Sequence, residues 1–463
     1  MVRTCLLLGL VLFSTGCSKD REDPMDEPLA QVGDLTITQR EFVYRTQFFP
    51  PPDIESVNGL SRKESLLELL IAEKLMALAA RKARLDTNLS YREMVQYATQ
   101  QAALKAFYDD MIDRNIRVTD KEIEEVLRKK QKRFLVQVFA TYKKETAETF
   151  RKQVLEGGNF EQLMNTYYGQ ELKPEDYTRE VTWGEWIDAL EAPLYMMREG
   201  DLSPVLKTPK GYVVMRLVRI RQLSPTYSEQ DMQRLRQKVA KTLRSRKADT
   251  LTGKFIETFM NQKQVVVKGE VFGALARWLD KVLDYKTQSA ASPVAASNQE
   301  VDFDSLRTVF EERLHEPLVT FQGGHFTLKD MLTKMRVRRL DFNTRSPLTM
   351  RQQLLSDIKM IVRDELIARE AIRRGFHEVP RARREIAMWR QYYLSRLFAS
   401  RTGLTPKFQK KVTLPDTLMA LRRSTPIWIN RTMLDTLYVS PYPMFAVQPG
   451  RVTHLVVPPW PVF

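Results

Sequence analysis

The sequence predicts an α+β protein: a mostly helical body, an α+β domain inserted near its middle, and a second helical module further along. Three observations predict it. Apolar residues recur at helical spacing near both ends of the chain, as in Leu67, Ile71, Leu75 and Leu78. Between those ends, two strand-like stretches (134–141 and 211–217) enclose helix-like ones. The N-terminal pattern then returns at a fixed offset beyond a linker. Gly324-His-Phe-Thr-Leu328 echoes Gly33-Asp-Leu-Thr-Ile37, and from 33 to 324 the offset is 291. The same offset pairs Leu67 with Ile358, Ile71 with Val362, Leu75 with Leu366 and Ala80 with Ala371.

The elements follow in order. Gln31 to Phe42 reads as a strand and turn entering a helix capped by Thr38, with Glu41 completing a capping box. Ser61 with Glu64 opens a second helix, and a third runs from about Ser90 to Asn115. Thr119-Asp-Lys-Glu122 caps the helix that enters the middle domain. There Phe134-Leu-Val-Gln-Val-Phe-Ala-Thr141 is a strand, and a helix follows with Ala147, Phe150 and Val154 on one face. Asn159 caps the next helix after Gly157-Gly158. Glu199-Gly-Asp-Leu-Ser-Pro-Val205 leads to a turn and the last strand, Gly211 to Leu217. Ser228 to Gln262 is one long amphipathic helix carrying Met232, Leu235, Val239 and Leu243. A short strand at Val265-Val-Val267, a helix near 272–283 and a linker near 287–298 come next. The repeated module ends with a helix broken at Gly375 and another over 381–401. The tail, 438–463, is rich in proline and aromatics, and docking on the body is its expected role because so much exposed apolar surface would be a liability.

At the middle domain the sequence resembles a known family. Glu-Gly-Asp-Leu-Ser-Pro-Val, shortly before Gly-Tyr-Val-Val-Met-Arg-Leu, is similar to the C-terminal half of a parvulin-type (PpiC) peptidyl-prolyl isomerase domain. Glu156-Gly-Gly-Asn-Phe160 is similar to that family's glycine-then-aromatic junction. The entry near Gly33, with its Thr-Ile-Thr turn, resembles the N-terminal helical domain of SurA/PrsA-type chaperones. The resemblance implies a SurA-N-like body over 30–117 plus 226–285, a parvulin-like domain over 118–222 and a linker over 286–300. The internal repeat, in a departure from the family's familiar examples, predicts a second SurA-N-like module over 301–404, followed by a C-terminal extension over 405–463.

The resemblance also identifies a site and a gap in it. Active parvulins carry one histidine in the first strand and another directly after Gly-Tyr in the last. Here those positions are Gln137 or Val138 and, after Tyr212, Val213. The four histidines of the chain, His315, His325, His377 and His454, lie outside the domain. Trp186, Ile187, Leu190 and Tyr195 fall at the positions of the apolar proline pocket. An X-Pro bond must cross a barrier of roughly 20 kcal/mol, which a catalyst lowers with placed hydrogen-bond partners around an apolar cleft. Hence no catalytic residue is assigned. The expected remnant of the substrate site is Gln137, Trp186, Ile187, Leu190, Tyr195, Tyr212 and Val213, with weak or lost isomerase activity.

Composition bounds the rest. The 463 residues leave room for several domains, and 43% hydrophobic content is that of a globular chain. Arg3 and the apolar run Cys5 to Phe13 read as a signal-peptide core, too short to span a bilayer. Ser14-Thr-Gly-Cys17 resembles a bacterial lipoprotein box, so 1–17 is the expected lipoprotein signal peptide, Cys17 the lipidation site and 18–29 a tether. With only two cysteines, Cys5 and Cys17, disulfide, thiol and cysteine–metal chemistry are excluded from the mature fold. The histidines lack metal-ligand spacing, and neither a Walker loop nor a GxGxxG stands in the chain, so no cofactor or metal is expected. A net charge of +16 would raise nucleic acid as a partner. In an exported lipoprotein the basic runs 128–133, 336–339 and 381–384 read instead as solvated helix surface, or as attraction for acidic unfolded chains and anionic lipid. The expected protein is a periplasm-facing lipoprotein chaperone, at the outer rather than the inner membrane, for unfolded or nascent envelope and outer-membrane proteins. An active prolyl isomerase, using Gln137, Tyr167 and backbone groups, and a structural docking subunit of an envelope assembly are the alternatives.

Overall fold

The computed structural model describes residues 23–283, 298–404, 411–439, 447–448 and 454–461, apart from short gaps at 50–51, 53–55, 58, 209–210 and 344–345. The expected signal peptide, Cys17, most of the linker and part of the tail lie outside them. The chain forms two compact units, one of residues 1–107 and 263–463, the other of 108–262 between those halves in sequence. Among the described residues no helix is long and apolar enough to cross a membrane.

The first unit opens with the hairpin β1 (Pro28–Val32) and β2 (Leu35–Thr38), whose turn places Gly33 at φ +57. Helix α1 (Gln39–Phe48) follows, with the Thr38 hydroxyl accepting from the Glu41 amide. The expected box is half formed, because the Glu41 carboxylate pairs with the Lys74 ammonium instead. After β3 (Ser56–Val57), Ser61 and Glu64 do make the full reciprocal box that starts α2 (Arg62–Lys82), a helix buried along most of its length. Helix α3 (Leu89–Asn115) then leads out of the first unit.

The second unit starts with α4 (Asp120–Lys129), again under a complete box of Thr119 and Glu122. Its sheet takes β4 (Lys132–Thr141), then, after helices α5 (Lys144–Leu155), α6 (Phe160–Tyr168) and α7 (Pro174–Tyr177), strand β5 (Thr178–Val181). Helix α8 (Asp188–Leu194) and strands β6 (Leu206–Thr208) and β7 (Gly211–Gln222) complete it. All neighbours are antiparallel in the order β5-β4-β7-β6. Helices α5 and α6 cover one face through Ala147, Phe150, Phe160 and Met164. Helix α9 (Glu229–Asn261) closes the unit, with Val239 buried against Ile123 and Val126 of α4 and against Trp183. The sequence division put 226–285 with 30–117, whereas α9 here is part of the second unit.

The chain returns through β8 (Val266–Val267), α10 (Gly269–Val282), β9 (Asn298–Glu300) and α11 (Phe303–Val309). The second copy of the opening module follows. It has the hairpin β10 (Pro317–Phe321) and β11 (Gly324–Thr327), then α12 (Leu328–Val337), β12 (Asp341–Asn343), α13 (Pro347–Arg373) and α14 (Pro380–Thr402). Both hairpins pair alike, down to a bulge between Pro28 and Ala30 and between Pro317 and Val319. Thr327 caps α12 as Thr38 caps α1, and from 38 to 327 the offset is 289. Beyond the second helix it becomes 291, where left-handed Arg84 (φ +54) answers to Gly375 (φ +82). The ungapped alignment of Gly33 with Gly324 is therefore corrected. Gly33 corresponds to Gln322, and a net two residues enter between the first helix and the end of the second.

The two copies interlock. Leu394 of α14 packs on Ala77 and Ala80 of α2, the second helix of the other copy. In return α3 reaches the second copy. Gln100 Nε2 donates to Glu365 Oε1 of α13 at 2.9 Å, Tyr97 lies 5.3 Å under the Arg338 guanidinium, and Glu93 pairs with Arg336. Arg338 is 5% exposed and Arg336 is paired, so these two of the basic run 336–339 are internal fastenings, and Arg339 is left at the surface. The chain ends with β13 (Lys411–Val412), α15 (Asp416–Ser424), β14 (Ile427–Ile429), α16 (Arg431–Thr436), β15 (Val447–Gln448) and β16 (His454–Leu455). Strand β14 pairs with β1, and β13 with β3.

Candidate functional site

Strand alternation decides which side chains can share a site. In β4, Phe134, Val136 and Val138 point to the face away from α5 and α6, and Phe139 points toward those helices. In β7, Val213, Met215 and Leu217 share the first face, and Tyr212 and Val214 the second. Val138 pairs with Met215, and Val213 with Ala140, so Val138 and Val213 are diagonal neighbours on one face.

Onto that face fold Trp186, Leu190 and Tyr195 from the 183–195 segment, with Leu194 fully buried beneath them. The Tyr195 ring meets Phe134 edge-on at 4.9 Å, and its hydroxyl donates to the Lys129 carbonyl at 3.4 Å. Burial pushes the Tyr195 phenol well above its ordinary range. Four of the seven expected residues are thus together: Trp186, Leu190, Tyr195 and Val213. Ile187 precedes α8 and is 45% exposed. Gln137 pairs with Thr178 and Arg216 and alternates to the opposite side of the sheet from Val136 and Val138. Its Oε1 is buried with no hydrogen-bond partner. Tyr212 belongs to the helix-covered face, and the Tyr167 hydroxyl there donates to Gln153 Oε1 at 2.9 Å.

The loop that carries Trp186 is held by a pair the sequence reading missed. Glu191, 1% exposed, accepts from the amides of Gly184 and Trp186 through Oε1, both at 2.8 Å. Its Oε2 takes Arg246 Nη2 of α9 at 2.5 Å, and the same Nη2 donates to the Trp186 carbonyl at 2.9 Å. The Arg246 guanidinium lies 4.4 Å from the Trp183 ring centroid. Trp183 is 6% exposed and is therefore core beside the site. Only a glutamate opening the motif Glu191-Ala-Pro-Leu194 hinted at this, and its partner is 55 positions away.

The Glu-Gly-Asp-Leu-Ser-Pro motif also has a local reason. Gly200 (φ +91) donates to the Leu217 carbonyl at 2.7 Å, and the amide of buried Ser203 donates to the Met215 carbonyl at 2.8 Å while its Oγ accepts from the Met215 amide at 2.9 Å. The motif thus ties a turn to β7. Gly211 (φ +131) passes so close to β4 that a Cβ would stand 2.4 Å from the Thr141 carbonyl oxygen.

Residues 118–231 match the family described as PPIC-type PPIASE domain. The middle of this chain is a PPIC-type domain. The match begins just before α4 and ends in the first turn of α9, so it takes in the sheet and both of its faces. The chain matches no curated protein. Among solved structures it is similar to one reported for PEB4 and Cj1289, two SurA-like chaperones of Campylobacter jejuni. That match has 13% identity and a TM-score of 0.23 over 52% of this chain and 100% of the other. PrsA of Bacillus anthracis aligns at 14% identity and TM-score 0.23, over 42% of this chain and 96% of the other. The foldase PrsA of Streptococcus pneumoniae aligns at 13% and 0.22, over 54% and 98%. Overlap this loose adds no weight to the domain match. Among the described residues no group of three or more His, Cys, Asp or Glu could hold a metal ion.

Proposed function

We propose that the protein is a folding chaperone of the SurA/PrsA type, whose PPIC-type domain grips proline-containing segments and isomerises them weakly or not at all. One observation carries this reading. The sheet face that gathers Trp186, Leu190 and Tyr195 presents Val138 and Val213 where active parvulins carry histidines. An apolar face can hold a prolyl ring, and valine can neither donate to nor accept from a twisted imide. The side chains named for a replacement site, Gln137 and Tyr167, belong to the other side of the sheet. Clients would be unfolded envelope or outer-membrane proteins. Cys17 would hold the protein to the membrane, at the outer membrane's periplasmic side.

Aggregation suppression of an unfolded outer-membrane protein, run beside a proline-peptide isomerisation assay, tests the reading. Suppression with an isomerisation rate at the buffer level is expected, and Trp186→Ala with Leu190→Ala should weaken client binding several-fold. A buffer-corrected rate that those two changes abolish would establish an active isomerase instead. Absence of both activities, with one fixed partner co-purifying, would favour a docking subunit. Palmitate incorporation that disappears in Cys17→Ser would establish the anchor.

A further inference from the structure

Residues 456–461 of the tail pack into a groove of the first unit. From Val456 to Trp460 the contacts follow α1 in order. Val456 and Val457 line a cavity of about 380 Å³ with Glu41 and Tyr44 of α1 and Met388 of α14. Arg45 Nη2 donates to the Pro459 carbonyl at 2.9 Å, and Trp460 Nε1 donates to the Phe49 carbonyl at 3.2 Å. Trp460, 4% exposed, sits in the apolar core with Phe42 and Val57, and its ring lies 5.5 Å from the Arg45 guanidinium.

Arg45 is fully buried and held by Glu73 through two hydrogen bonds, at 3.2 and 2.8 Å. Glu73 holds the guanidinium from within the unit, and Nη2 is shared between Glu73 Oε2 and the Pro459 carbonyl, so its outward bond goes to backbone. The occupant reads Val456-Val-Pro-Pro-Trp-Pro461, and its three prolines have no N–H with which to join a strand. Such a segment binds by ring packing and by accepting at its carbonyls, the way extended proline-rich peptides are recognised. Of these contacts the Arg45 bond reads only backbone, the Trp460 contacts read an aromatic ring with an N–H, and the cavity beside Val456 and Val457 leaves room for larger groups.

We propose that this groove is a client site for extended segments rich in proline and aromatic residues, and that residues 456–461 are its resident occupant, which a client displaces. The proposal rests on the chaperone reading for the nature of the client. Its occupant chemistry complements the PPIC-type domain, since both would take prolyl segments.

The probe is a fluorescent peptide of residues 454–463, added to the intact chain and to Trp460→Ala. The variant, with its own tail loosened, should bind the peptide at least tenfold tighter than the intact chain. Unfolded outer-membrane protein should compete for it. Equal affinity in both chains, with Trp460→Ala still folded by circular dichroism, would overturn the proposal. Should the variant unfold, hydrogen exchange of the intact chain decides. Excess peptide must deprotect the amides of Val456, Val457 and Trp460, and unchanged protection counts against the groove. Aggregation suppression without competition for the peptide would remove the groove and leave the chaperone reading intact. Peptide exchange with no suppression would retain a peptide site and remove the chaperone.

Discussion

Glu191 is the residue on which the candidate site turns. It is the point where a carboxylate, two loop amides and a guanidinium from α9 meet under Trp186. Glu191→Gln keeps the volume and removes the charge opposite Arg246. Breaking a fully buried pair costs about 3–5 kcal/mol. Arg246 retains some solvent, so about 2 kcal/mol is expected, measured as a lower urea midpoint with an unchanged slope. Its second consequence should be weaker client binding at the Trp186 face, because the loop loses its fixed course. A stability loss that left prolyl-peptide binding untouched would show that the pair only holds the fold. The same scale shows where sequence reading stops. Gln137 and Val138 were equally eligible by alignment, and which of them shares a face with Val213 is a matter of register. A strand's two faces differ by one residue, and β4 carries a bulge between Leu135 and Val136 that no spacing rule locates.

At the scale of elements, capping signals were legible because they are local. Ser61 with Glu64 and Thr119 with Glu122 form the expected boxes. Thr38 with Glu41 does not, because the distant Lys74 takes the carboxylate. Glu122 joins both kinds of contact. It caps α4 and also receives Lys247 of α9 at 2.6 Å. That ammonium, with the Thr119 amide, holds its carboxyl at about 2, against an ordinary 4.5. A depressed carboxylate contributes stability above its unfolded pKa and loses it as the pH falls through the folded one. The contribution is therefore complete above pH 4.5 and disappears between 4.5 and 2. The expected result is that Glu122→Gln melts below the natural protein at pH 7 and that the gap closes toward pH 2. A gap independent of pH would mean that the cap, not the charge, holds α4 and α9 together. The doubling of the module was legible for a different reason. Helix stripes keep phase over long stretches, so Leu67 to Ala80 found their counterparts directly. The hairpins, short and two residues out of phase, were matched to the wrong glycine.

Across the first unit the two copies are joined by exchanged third helices, and this could not be read from either copy alone. Each module's pattern specifies an amphipathic helix but not which long helix covers it. Leu394 of α14, 7% exposed, lies against Ala77 and Ala80 of α2, while Gln100 and Tyr97 of α3 engage the second copy. Neither copy can then open without uncovering part of the other. Leu394→Ala removes buried side-chain volume at this crossing and should cost about 2–4 kcal/mol. If the exchange binds the copies into one cooperative unit, hydrogen exchange should quicken in α2 and α13 by the same factor, although Leu394 touches only the first of them. Acceleration confined to α2, with α13 protected as before, would show that the copies open separately. Either result bears on the tail groove, since α1 and α14, which both line it, belong to different copies. A single cooperative unit keeps the groove's two walls at fixed spacing, so a client must displace residues 456–461 rather than spread the walls. Independent copies would let it widen beside residues 456–461, and equal affinity of the peptide for the intact chain and for Trp460→Ala would then count against displacement.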